Sequence, residues 1–168
     1  EPRGHKYIVD FEMDPVPTVT YRVGGMLFKK EMLFVPKSEK LLIRYTLLEN
    51  ASTGTLLQIK PFLAFRSIHA LTKANPEADT HYQAVENGAG YRLYKDFPML
   101  YLQFSKPCEY VHSPDWYRNV VYSQEYRRGF DCTEDLMVPG FFEMPMRKGE
   151  SIVLSASTKF ENPQSLKA

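Results

Sequence analysis

The dominant period in the hydrophobic pattern is two. Across residues 40–49, Leu41, Ile43, Tyr45 and Leu47 fall on one face, and Leu42, Arg44, Thr46 and Leu48 on the other. Across residues 55–65, Leu57, Ile59, Leu63 and Phe65 alternate with Gln58, Lys60 and Ala64. Alternation of this kind predicts half-buried strands. The linker Asn50-Ala51-Ser52-Thr53-Gly54 is rich in turn formers, so the two runs are expected to pair as an antiparallel hairpin. An earlier hairpin is predicted over residues 16–35. Val19, Tyr21 and Val23 share a face, Gly24-Gly25 supplies the positive φ of a tight turn, and Met26 begins the return arm. The Met-Leu-Phe spacing of that arm also suits a helix, but the preceding glycines and Pro36 favour a strand. Further strands are expected at residues 99–105 and 151–159, the latter with Ile152, Leu154 and Ala156 on one face.

Helical signals are few. Ile68, Leu71 and Thr72 are spaced for a short helix within residues 67–75, which Pro76 would end. Residues 115–129 form either a second short helix or an irregular loop. Strands about ten residues apart, with 12 scattered prolines, predict an all-β protein: an antiparallel β-sandwich with one or two short helices in loops. Apolar residues on both faces of several strands imply a sheet covered on both sides or packed against a missing neighbour.

Composition narrows the function classes. The 168 residues correspond to one domain over 1–168, and 11 Phe, 11 Tyr and one Trp exclude disorder. A net charge of +1 draws the chain to neither nucleic acid nor an anionic membrane. No apolar run is long enough to span a bilayer, and no signal peptide is visible. Cys108 and Cys132 are expected to be reduced thiols, as in a cytoplasmic protein. Asn50-Ala51-Ser52 matches the glycosylation triplet, a short pattern with nothing else to support secretion. The chain opens on Glu1-Pro2-Arg3 without an initiator Met, as expected of a piece of something longer.

No cofactor motif is present. Gly24-Gly25 and Gly88-Ala89-Gly90 are too short for nucleotide signatures and are expected to be turns. His5, His69, His81 and His112 lack neighbours at metal-ligand spacing, so no metal and no cofactor is expected. The most unusual stretch is residues 115–144, which combines the single Trp with tyrosines, arginines and carboxylates. Flat rings can stack on sugars while carboxylates and arginines bond hydroxyls. The same residues can equally be core anchors and solvated charges. Eight of them are candidates for carbohydrate contact or a domain interface: Trp116, Tyr117, Tyr126, Arg127, Arg128, Asp131, Glu134 and Asp135.

Four segments resemble a known family in order along the chain: DPVPTVTYRVGG (14–25), LFKKEMLFVPKSEKLLIRYTLL (27–48), KPFLAFRSIHALTKAN (60–75) and WYRNVVYSQEYRRGFDCTEDLMVPGFFEM (116–144). They are similar to the N-terminal domain of bacterial and archaeal-type glycogen debranching enzymes. The resemblance implies a supersandwich-like β-sandwich joined to a C-terminal (α/α)6 catalytic barrel. It implies that the parent is an amylo-α-1,6-glucosidase, a glycoside hydrolase of glycogen catabolism. The catalytic carboxylates of that family lie in the barrel, which this chain lacks, so no catalytic residue is assigned here. The expected partners are the barrel of the same parent chain, an α-glucan (glycogen or limit dextrin), and further copies of the isolated domain. The alternative is a free-standing carbohydrate-binding or structural β-sandwich.

Overall fold

A computed structural model describes residues 3–50 and 54–166. Among the described residues, eleven strands run in chain order: β1 (Ile8–Glu12), β2 (Thr18–Val23), β3 (Met26–Phe34), β4 (Lys40–Glu49), β5 (Thr55–Ile59), β6 (Tyr82–Val85), β7 (Gly88–Tyr91), β8 (Leu100–Phe104), β9 (Glu109–Val121), β10 (Thr133–Met146) and β11 (Ser151–Ser157). One short helix, α1 (Ser123–Arg127), lies between β9 and β10. The strands form an eight-stranded sheet, β1-β2-β3-β4-β11-β8-β7-β6, and a three-stranded sheet, β5-β10-β9. All pairings are antiparallel, so the fold is the expected β-sandwich.

The core lies between the sheets. Tyr45 and Leu47 of β4, Ile152 and Leu154 of β11, and Leu102 and Phe104 of β8 face Met137, Phe142 and Met144 of β10. The Phe104 and Phe142 rings meet at 5.0 Å. On the outer face, Val153, Ser155, Ser157 and Gln103 are also buried. Gln103 donates from Nε2 to the Glu161 carbonyl and accepts from the Glu161 N–H. The segment after β11 therefore crosses that face, which explains the apolar and small residues on both sides of β11.

The β2–β3 hairpin forms as expected. Gly24 and Gly25 take φ of +54° and +79°, the two-residue turn whose twist matches its strands. The hairpin expected between residues 40–49 and 55–65 does not form. β4 is paired along both edges, by β3 and by β11, and β5 crosses to pair with β10 instead. Residues 51–53 of the expected turn lie outside the described residues, as does part of the Asn50-Ala51-Ser52 triplet. The expected helix over 67–75 is also absent; a turn at residues 68–69 is followed by irregular backbone. Gly88-Ala89-Gly90 is not a turn but strand β7. A Cβ on Gly88 would sit 2.0 Å from the Leu102 carbonyl oxygen of the neighbouring strand, so glycine serves close backbone approach there. Residues 115–129 divide between the end of β9 and α1. Among the described residues, no helix is long and apolar enough to cross a membrane.

Candidate functional site

The site is built on the N-terminal end of β10. Glu134 is 0 % exposed, a costly place for a carboxylate unless every acceptor position is used. Arg66 donates to it from both Nε and Nη2, the latter at 3.0 Å. The Tyr122 hydroxyl donates to Oε2 at 2.5 Å, and the Thr72 backbone N–H to Oε1 at 3.2 Å. Burial alone would raise the Glu134 carboxyl, but Arg66, Tyr122 and the Thr72 N–H outweigh it and hold the group below its ordinary value. The same carboxylate pushes the Tyr122 phenol up.

Asp135 ties down the next layer. Its two oxygens accept from the Ala74 N–H at 3.0 Å and the Asn119 N–H at 2.8 Å, which lower its pKa. Its own N–H donates to the Thr72 carbonyl. Asn119 has φ of +58° at an irregularity in the β9–β10 register between Glu134 and Leu136. Such bulges redirect side chains that plain alternation would send to opposite faces. This explains the missing helix at 67–75. The N–H groups of Thr72 and Ala74 go to carboxylates of β10 rather than to a helical ladder.

Two arms are thereby fixed over one strand end. The first is the 63–75 segment, anchored by the Leu63–Met137 bridge, Arg66 and Thr72. The second is the turn around α1, anchored by Tyr122, whose N–H donates to the Cys132 carbonyl. Between them lies a pocket of about 440 Å³ lined by Ile68, His69, Leu71, Glu125, Phe130 and Asp131, among others. A second cavity, of about 470 Å³, runs between the inner face of β2–β4 and β5. It is walled by Tyr21, Phe28, Tyr45, Leu47 and Leu57, with Lys30 as its one charged residue.

The structure separates the eight sequence candidates. Glu134 and Asp135 are buried, and their oxygens accept from internal donors. Trp116 is half-buried against the core. Tyr117 packs edge-on against Phe62 at 5.0 Å. Tyr126, Arg127 and Arg128 lie exposed on and after α1, with Arg128 3.5 Å from Glu125. Only Asp131 of the eight lines the pocket. Arg66, Thr72 and Tyr122, which complete the clamp, and Ile68, His69 and Phe130, which line the pocket, were not among the candidates. Arg66 and Glu134 are 68 residues apart, beyond the reach of any local pattern. Cys108 and Cys132 are free thiols. Among the described residues, no three His, Cys, Asp or Glu side chains are placed to hold a metal ion.

Against known families, residues 1–153 match the model described as "Glycogen debranching enzyme N terminal". No curated protein matches the chain. The match covers most of the 168 residues, and the chain belongs to that family of N-terminal domains.

Proposed function

We propose that this debranching-enzyme N-terminal domain is non-catalytic, that it packs on the catalytic (α/α)6 barrel of its parent, and that the arms over β10 form part of the rim of the barrel's glucan groove. The parent activity is then amylo-α-1,6-glucosidase. The observation that carries the packing is the mismatch between the sheets. Three strands cannot cover eight. Register places Ile8, Phe11, Val19, Tyr21, Phe28 and Phe34 on the same face as the core residues Tyr45 and Leu47. Beyond the small sheet, Ile8, Phe11, Val23 and Phe34 stand exposed. Contiguous apolar surface of this kind marks a contact with another body. The non-catalytic part rests on Glu134 and Asp135, whose oxygens are committed to internal donors.

Co-expression of the chain with the catalytic domain of a debranching enzyme tests the packing. The two are expected to elute together, and Phe11→Asp with Phe34→Asp is expected to separate them. Both side chains are exposed, so the variant domain folds. Association that ignores these changes, or no association, overturns the packing. The isolated chain is expected to release no glucose from a phosphorylase limit dextrin. Turnover that survives purification and is lost in Glu125→Ala or Asp131→Ala overturns the non-catalytic reading.

A further inference from the structure

The small sheet ends at β5, whose outer edge pairs with no strand among the described residues. Little guards that edge. Thr55-Leu56-Leu57-Gln58-Ile59 has no charge, no proline and an unbroken register with β10. By contrast, β1 at one end of the large sheet carries Asp10 and Glu12, with an irregularity beside them. The cavity of about 470 Å³ lies between β5 and the inner face of β2–β4. Register sends Phe28 and Lys30 of β3 to that face, opposite Leu47 and Tyr45 of β4. Lys30 is the odd member. Arg22 meets Glu49, Lys29 and Arg44 meet Glu31, and Lys40 meets Glu161. Lys30 completes the cations of β2–β4, and among the described residues it alone of them meets no carboxylate. It stands half-buried among apolar side chains, where an unpaired charge is costly.

We propose that the β5 edge is a strand-addition site for a peptide segment from outside this chain, with apolar residues at alternate positions and one Asp or Glu among them. The backbone of β5 offers a ladder of hydrogen bonds that gives affinity, and the cavity gives selection. Strands lie about 4.8 Å apart and stacked sheets about 10 Å, so a segment beside β5 covers β3 and turns every second side chain into the cavity. Thr55 Oγ1 donates to Met26 Sδ at 3.7 Å, which sets one end of β5 over the start of β3. Both strands line the cavity onward from there, so Ile59 lies toward Lys30. Inward residues beside Thr55 and Leu57 are therefore apolar, against Met26 and Phe28. The inward residue beside Ile59 is the acid that meets Lys30. A second copy of this chain does not fit. Asp10 and Glu12 of β1 lie opposite Thr20 and Thr18, on the face away from Ile8 and Phe11, and β5 has no acid. The proposal uses residues other than Phe11 and Phe34, which test the packing, so the two readings fail separately.

Random peptides of strand length, displayed on phage and selected on the immobilised chain, test the site. Enriched sequences are expected to alternate apolar and polar residues, with one Asp or Glu in the apolar series. Selection on Lys30→Glu is expected to replace that acid by Lys or Arg. Lys30→Met, which places an apolar side chain in an apolar cavity and so keeps the fold, is expected to abolish the preference. A synthetic peptide of the enriched sequence is expected to shift the amide NMR signals of residues 55–59 and to bind Lys30→Met about tenfold or more weakly. N-methylation of its alternate amides is expected to abolish binding in one phase and spare it in the other, as a one-sided ladder requires. No enrichment, an acid retained on Lys30→Met, or indifference to N-methylation overturns the proposal. A dimer that forms through residues 55–59 gives the edge to a second copy and also overturns it. Peptide binding that survives Phe11→Asp with Phe34→Asp, while packing on the catalytic domain is lost, separates the two readings. Packing retained in a chain that selects no such peptide removes the strand site and leaves the proposed function standing.

Discussion

Replacing Arg66 by Ala isolates the energetics of the clamp. The guanidinium supplies two of the donors to Glu134, and the carboxylate they serve is 0 % exposed. After the change, the Tyr122 hydroxyl and the Thr72 N–H remain, and a buried charge loses its counter-ion. Removing one partner of a buried pair costs about 3–5 kcal/mol. The Arg66 side chain is 20 % exposed, so water reaches part of the gap and the lower end applies first. In a domain of this size each kcal/mol moves the melting temperature by about 2–4 °C, so the expected fall is about 6–20 °C. Thermal melts followed by circular dichroism read it directly. Its pH dependence has a definite sign. The Glu134 carboxyl is held below its unfolded value near 4.5, so its contribution is fully present above that pH and is lost as pH falls through the folded value. The gap between wild type and Arg66→Ala should therefore be widest near about pH 7 and close on acidification. A paired change, Arg66→Met with Glu134→Leu, should cost less than the sum of the two single changes, because it leaves no orphan charge. A melting temperature within about 2 °C of wild type, or a gap that widens in acid, would refute the reasoning.

The outer-face pair Arg44–Glu31 is the contrasting case. It is bidentate at 2.8 and 2.7 Å, but the Arg44 side chain is 44 % exposed and Lys29 stands 3.4 Å from the same carboxylate as a second cation, so Arg44→Ala should cost only about 1 kcal/mol in a urea melt. Gly140 has φ of +142°, and a Cβ there would lie 2.0 Å from the Val111 carbonyl oxygen of β9, so Gly140→Ala should cost at least about 3 kcal/mol. Gly24→Ala, at φ +54° with nothing within 4 Å of the new Cβ, should cost about 1 kcal/mol, and equal urea midpoints for the two would contradict both assignments. Burial pushes the Cys108 thiol from an ordinary 9.0 to about 11, so at about pH 8 its alkylation should run about a hundredfold slower in the native protein than after unfolding. Mass spectrometry of iodoacetamide-treated samples measures that ratio.

What the amino-acid pattern disclosed and what it hid divide along one line: the range of the interaction responsible. The β2–β3 hairpin was legible because its cause is local, two glycines free to take positive φ between alternating runs. β4, β8 and β11 were legible because alternation records which face is buried. Alternation does not record which strand lies alongside, since a hairpin partner and a strand crossing to the other sheet carry the same period. Alternation therefore suggests β5 beside β4, although β11 holds that edge through residues more than a hundred positions downstream. The arm at 67–75 failed for the same reason at the level of hydrogen bonds. Ile68, Leu71 and Thr72 have helical spacing, yet the Thr72 and Ala74 N–H groups are taken by carboxylates 62 and 61 residues away. Composition singled out 115–144, and the structure places its candidates unequally: Glu134 and Asp135 are buried, while Tyr126, Arg127 and Arg128 are exposed. Glu134 and Asp135 are adjacent, and on a regular strand one of them would face solvent. The bulge at Asn119 and the arm packed above them turn both inward. Their carboxylates tie the 63–75 arm and the turn around α1 to one strand end. The placement of both loops thus depends on one buried charge, and the clamp at Glu134 should govern the order of the arms as well as the stability of the fold.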